Sequence, residues 1–274
     1  MMFIHRQAYQ SDLKDQEWKW LKRFLPPPST PGTKGRPQEW PLREIVNALL
    51  YLLRTGCQWR MLPHDLPPWQ TIYYHYRKWR LSGIWEKINR LLGQEVRQEE
   101  GREATPSAAI VDAQSVKTTL VKGKRGFDAG KNVKGRKRHI IVDTLGLLLL
   151  VLVTTADVQD RPGGKQLLIK LRQRLSLPRL QLLWADGGYG GQPFVDWVKV
   201  TFGWIWQVIK RNSDVKGFQV LPRRWVVERT FGWLNNYRRL SKDYEELTDT
   251  SETLIYLAMS HIMLRRLAKT NHFE

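Results

Sequence analysis

Apolar residues recur every three or four positions through the first third of the chain, and gather into short runs beyond it. Leu13, Trp18, Leu21 and Leu25 follow Ser11 at helical spacing and stop at Pro26-Pro27-Pro28, which predicts a capped amphipathic helix. A Pro- and Gly-rich loop then runs to about Pro41. Leu42, Ile45, Val46, Leu49, Leu50 and Leu53 predict a second helix ending at Gly56. Ile72, Tyr76 and Trp79 predict a third after a turn around residues 63–69, and residues 84–100 a fourth. This arrangement has the character of a helix-turn-helix module. The polar segment 101–106 then marks a boundary, giving a small all-α domain over 1–103 and a second domain over 104–274.

In the second domain the period changes. Residues 108–116, 139–143 and 147–155 predict three strands, the last two joined by the turn Asp143-Thr144-Leu145-Gly146. A helix is expected over 164–175, a strand over 180–185, a helix over 193–200 and a strand over 204–209. One helix follows Pro222 and another spans 251–267. Three strands with short connections, then alternating helix and strand, predict an α/β domain with a mixed five-stranded sheet flanked by helices.

Charge narrows the partner. Lysine and arginine number 45 against 26 acidic residues in 274, a formal +19, and a polyanion best rewards that excess through phosphate contacts and counterion release. The longest apolar run, 145–153, is far short of the roughly 20 residues of a spanning helix, and no cleavable signal is seen, so no membrane partner is expected and the protein is read as soluble and intracellular. Cys57 is the sole cysteine, which excludes an internal disulfide and a thiolate zinc cluster.

The candidate chemistry lies in carboxylates that close apolar runs. Asp112 ends Ala108-Ala109-Ile110-Val111, Asp186 ends the run from Leu180, and Glu228 sits in the amphipathic stretch 223–231. Three carboxylates on two strands and a helix suit a pair of hard divalent cations, magnesium above all, and paired metals suit displacement at phosphorus. If the first three strands form an antiparallel meander and the fourth lies parallel beside the first, Asp112 and Asp186 approach one pole of the sheet. Asp143 then falls in a hairpin at the opposite pole and is a decoy, whereas Asp157 and Asp160 return to the carboxylate pole. Each aspartate read singly also fits a turn residue bonded to local backbone. Gly187-Gly188-Tyr189-Gly190-Gly191 after Asp186 lets a bulky substrate approach, and does not match the order of a dinucleotide-binding loop. Val226, Val227, Phe231 and Leu234 mark the buried side of the Glu228 helix, while Arg224, Glu228, Asn235 and Arg239 follow one another at spacings of four and seven, near one another where phosphates would pass.

Motifs at these places carry a family resemblance. I-V-D-A-Q-S-V-K at 110–117, G-K-R-x-F-D-A-G-K-x-V-K-G-R-K-R-H at 123–139, A-D-G-G-Y at 185–189 and R-W-V-V-E-R-T-F at 224–231 resemble the DDE transposases of bacterial insertion sequences, in the group named after insertion sequence five. The resemblance spans nearly the whole chain. It implies a ribonuclease-H-like fold in which Asp112, Asp186 and Glu228 are the D, D and E, each serving catalysis and binding metal. Two Mg²⁺ ions, with Mn²⁺ substituting, would serve cleavage and strand transfer. Of the wider signature Y-x-x-R-x-x-x-E-x-x-x-x-x-x-K, Arg224 and Glu228 match, while Leu221 and Asn235 replace the tyrosine and lysine. The implied partners are double-stranded DNA, as element ends and target, and a second copy of the chain on that DNA. The implied place is the bacterial cytoplasm, at the nucleoid.

Two basic features complete the expectation. Residues 117–138 hold nine lysines and arginines, read as a loop at the carboxylate pole, with Lys131, Lys134, Arg136, Lys137 and Arg138 contacting DNA phosphates. Gln70, Thr71, Tyr74, Arg77 and Lys78 form the polar side of a candidate recognition helix in the N-terminal domain.

Overall fold

A computed structural model of the chain describes residues 6–27, 39–119, 123–209 and 223–270. Four helices come first: α1 (Asp15–Leu21), α2 (Leu42–Thr55), α3 (Trp69–Leu81) and α4 (Ile84–Glu99). Then follow β1 (Ala108–Lys117), β2 (Gly126–Asp128), β3 (Val133–Asp143), β4 (Leu148–Thr155), α5 (Asp160–Arg174), β5 (Leu182–Ala185), α6 (Gln192–Phe202), β6 (Ile205–Val208), α7 (Arg224–Asn235) and α8 (Thr248–Thr270).

Strands β4, β3, β1, β5 and β6 lie side by side in that order, with β1–β3 and β3–β4 antiparallel and β1–β5 and β5–β6 parallel. The expected meander with a parallel fourth strand is therefore the observed topology, and it is the ribonuclease-H-like mixed sheet. A sixth strand was not expected: the three-residue β2 pairs with residues 133–135 of β3, on the edge that β4 occupies further along. Gly-Phe-Asp is too short to carry a period. The strand expected over 139–143 starts at Val133, so the segment read as a basic loop is half sheet.

Alternation along β1 sorts the two layers. Ile110 faces a core shared with Ile140, Val142, Val226, Val227 and α8, while Ala109 and Val111 face Leu167, Leu168, Leu171 and Phe194 of α5 and α6. Asp112 has the parity of Ile110, and Asp186 that of Trp184 in the same core, so both point to the layer that contains α7.

The N-terminal helices belong to that layer too. One continuous core joins Leu49, Leu53, Tyr76, Trp85 and Leu92 to Leu254, Leu257 and Met263 of α8. Tyr76 donates to Thr250 O at 2.9 Å, Asn89 donates to Leu148 O at 2.7 Å, and Arg80 pairs with Asp249. Residues 56–68 connect α2 to α3, longer than the about 3–4 residues of a tight helix-turn-helix corner. α8 explains the cohesion: it is buried on nearly every side, a central post for helices and sheet alike. Among the described residues no helix is long and apolar enough to cross a membrane.

Candidate active site

β1 and β5 run parallel with Val111 opposite Ala185, so the next residue on each, Asp112 and Asp186, emerges at the same end of the sheet. α7 crosses above them and brings Glu228 one helical turn after Arg224. The three carboxylates meet around one nitrogen: Arg224 Nη2 lies 3.8 Å from Asp112 Oδ2, 3.8 Å from Asp186 Oδ2 and 3.6 Å from Glu228 Oε1. These are loose ion pairs, longer than the about 2.7–2.9 Å of a charge-assisted hydrogen bond. Among the described residues no group of three or more acidic, histidine or cysteine side chains is placed so that it could hold a metal ion. Arg224 keeps the carboxylates gathered but apart.

Backbone donors fix the two aspartates. Asp112 Oδ1 accepts from Ala113 N at 2.7 Å, and Asp186 Oδ1 accepts from Gly188 N at 2.9 Å while capping the helical turn Gly187–Tyr189. Asp112 is largely buried, and burial followed by repulsion from Asp186 raises its pKa from 3.8 to about 6, against the opposing pull of Ala113 N–H, Arg224 and Lys131. Glu228 is the outermost, its side chain 55% exposed. A Cβ built on Gly187 would meet nothing within 4 Å, so the backbone there is open to a large substrate.

Asp160 joins this neighbourhood. It begins α5, and a Cβ on Gly188 would stand 2.7 Å from Asp160 Oδ2 and 3.1 Å from Asp186 Oδ1, so the two carboxylates share the space that a side chain would fill. Its other oxygen lies 3.4 Å from the buried Lys137 ammonium, which also pairs with Asp128 at 3.2 Å. The helix was expected only from residue 164, four residues later than it starts. In fact Pro162 sits in the first turn, where its missing N–H costs nothing.

Asp143 lies at the far end, in the β3–β4 hairpin. It accepts from Leu145 N at 2.9 Å and Leu147 N at 2.8 Å and pairs with Arg97 at 2.5 Å, a buried structural ion pair.

Three of the basic positions expected on a DNA-facing loop are inside the fold. Arg136, with 1% of its surface exposed, pairs with Asp243 at 3.1 Å and donates to Glu246 O. Arg138, also 1% exposed, donates to Leu240 O and Lys242 O, and burial lowers its pKa to about 10. Lys137 is spent on Asp128 and Asp160. Arg239 was expected to extend the Glu228 face, but α7 ends at Asn235, and Arg239 is buried, bound to Glu245 at 2.7 Å and to Cys57 O at 3.0 Å. Composition counts these charges as available; strand pairing and the 238–246 segment laid over β3 consume them. Lys131, Lys134, Asn235, Arg77 and Lys78 are exposed.

The comparisons fit this geometry. Residues 103–263 match the family described as the transposase DDE domain, and residues 13–89 match one described as a putative transposase of the IS4/5 family. The chain belongs to the DDE-domain transposase family. Among curated relatives it is 31% identical over 120 residues to a putative transposase for insertion sequence element IS402 of Burkholderia cepacia, covering 42% of this chain and 56% of the relative. It is 28% identical over 118 residues to a 16.2 kDa uncharacterized protein of the same element, covering 42% of this chain and 78% of that one. The chain thus spans little more than half the length of the first of these. A solved pre-cleavage Mos1 transpososome aligns over 90% of this chain and 83% of its own at 12% identity, with a TM-score of 0.33. At that score the likeness carries no argument about the site.

Proposed function

We propose that the protein is a DNA transposase that binds the ends of its own insertion sequence, cuts them and joins them to target DNA, with Asp112, Asp186 and Glu228 as the catalytic, metal-binding carboxylates. The observation that carries this reading is the convergence of all three on Arg224 Nη2 within 3.8 Å. Far apart in sequence, they have no structural partner besides that one guanidinium and local backbone among the described contacts.

The donor set fits magnesium or manganese. All the donors are hard oxygens, and the pKa of Asp112 is raised first by burial and then by repulsion from Asp186, a carboxyl whose ionised form a bound cation would favour. Asp112, Asp186 and Glu228 would together hold the pair of ions. When bound, such a pair activates a water or 3′-hydroxyl and stabilises the leaving oxygen. For this to happen Arg224 leaves the centre of the basin. Arg224 is the first residue of α7, and an incoming phosphate would then accept from its guanidinium in place of the carboxylates.

The rest of the machinery follows from exposure. Gln70, Tyr74, Arg77 and Lys78 lie on the open side of α3 and suit a major groove, while Lys131, Lys134 and Asn235 suit backbone phosphates. Two element ends must be processed together, so a homodimer assembled on DNA in the bacterial nucleoid completes the reading.

The test is incubation of purified protein with Mg²⁺ or Mn²⁺ and DNA flanking its own gene, beside Asp112→Asn and Glu228→Gln. The reading predicts metal-dependent nicking at the element ends, and joining of a pre-cut 3′-hydroxyl end, both lost in the variants. Nicking without joining would make the protein a stand-alone nuclease. Binding of the ends without nicking would make it a regulator derived from a transposase.

A further inference from the structure

Beyond the carboxylates, β1, β2 and β3 run on as a three-stranded strip whose outer part forms an open groove of about 460 Å³, lined by Lys117, Thr118, Arg125, Phe127, Asn132 and Lys134. We propose that this groove takes a single unpaired nucleotide of the DNA strand, its base stacked on Phe127 and its phosphate held by Arg125 and Lys134. The assignment rests on the reading of the protein as a DNA-processing enzyme and adds a subsite to it.

Register determines which groups share the groove. Phe127 is paired with Lys134 across the β2–β3 ladder, so their side chains stand on one face, with Arg125 and Asn132 two residues from each on the same side. Thr118 N donates to Lys134 O at 3.5 Å, bringing the end of β1 into the row. Lys134 has the parity of Ile140, which lies opposite Asp112, so groove and carboxylate basin occupy one face of the sheet. The five residues from Asp112 to Lys117 span about 17 Å at roughly 3.3 Å each.

Chemistry selects the occupant. On the Phe127 face the described lining holds the cations Arg125 and Lys134, a hydroxyl, an amide and a phenyl ring, and no carboxylate. Asp128 and the neighbour of Gly126, Asp157, lie on the other face of β2. Phosphate contacts alone require only charge, yet Phe127 is 52% exposed, on a strand where a ring gains nothing from burial. A ring ringed by cations is the arrangement that binds single-stranded nucleic acid, because every base has a face to stack and every nucleotide a phosphate. In a duplex the bases are stacked on each other and offer the ring nothing. The volume is within the about 300–1,000 Å³ of small-ligand clefts and exceeds what a phosphate fills.

The experiment measures binding, without metal, of a blunt duplex from the flanks of the gene and of the same duplex with three-nucleotide 5′ or 3′ tails. Wild type should bind one tailed duplex about tenfold more tightly than the blunt one, the scale of one base–aromatic stack. Phe127→Ala should abolish that preference while keeping blunt affinity and melting temperature, and Phe127→Tyr should preserve it. A 5-iodouracil in the tail should crosslink to the peptide containing residues 125–134. Equal binding of tailed and blunt DNA, or an undiminished preference in Phe127→Ala, overturns the subsite and leaves the transposase reading standing. Failure to bind any of the DNAs overturns both. Displacement of the tail by free thymidine monophosphate at matching affinity would make the groove a mononucleotide site and overturn its assignment to the strand.

Discussion

Replacing Asp112 by asparagine should make the metal-free protein more stable while removing its cleavage activity. Asp112 sits with 13% of its side chain exposed, and its folded pKa is raised from 3.8 to about 6. A raised carboxyl pKa means the folded state prefers the neutral acid. Its contribution is therefore intact below about pH 4 and is lost as pH rises through 6. A shift of about two units corresponds to roughly 3 kcal/mol, and residual solvent access brings the expected cost at pH 7.5 to about 2–3 kcal/mol. Asparagine keeps the shape and can still accept from Ala113 N, and it carries no charge to bury. In EDTA the variant should melt about 5 °C above wild type at pH 7.5, with the difference shrinking to about half by pH 5 and nearly closing by pH 4. Added Mn²⁺ should then stabilise wild type and leave the variant unmoved, since a ligand raises stability only where it binds. Calorimetry at three pH values with and without metal is the assay. A variant that melts at or below wild type at pH 7.5, or a difference that ignores pH, refutes the reasoning.

Other outcomes follow from the same geometry. Arg224→Gln should bind Mn²⁺ more tightly than wild type in the absence of DNA, as read by titration calorimetry, yet cleave more slowly because the phosphate loses its guanidinium. Arg136→Ala should lower stability by about 3–5 kcal/mol in denaturant titration, because Asp243 is left charged and buried, whereas Lys134→Ala should change stability by less than about 0.5 kcal/mol. Lys134→Ala should instead reduce the salt slope of DNA binding by about 1. Gly188→Ala should push Asp160 and Asp186 apart and slow cleavage by an order of magnitude or more in the nicking assay, with the melting temperature little changed.

The pole at which Asp112 and Asp186 meet was legible because it depends only on topology: runs of apolar residues gave the strands, and a parallel β5 beside β1 brings their ends together. The place of Asp143 at the other end was legible by the same logic, since a two-strand hairpin returns there. What the sequence did not reveal were matters of long-range pairing. Arg136, Arg138 and Arg239 look like surface charge until the 238–246 segment folds over β3 and supplies Asp243, Glu245 and backbone carbonyls. Nothing in the local pattern distinguishes a cation bound for solvent from one bound for a carboxylate a hundred residues away. The fusion of α1–α4 to α8 was equally hidden, because an amphipathic period shows that a face is buried and not against what.

If Asp112, Asp186 and Glu228 form one cation site, the ions should be visible there. Anomalous scattering from crystals of the protein, bound to DNA from the flanks of its gene and soaked in Mn²⁺, tests it most directly. Density for manganese is expected at Asp112, Asp186 and Glu228, with Arg224 displaced from the position it holds beside all three. Ordered manganese elsewhere, with the three carboxylates still closed around Arg224, would contradict it.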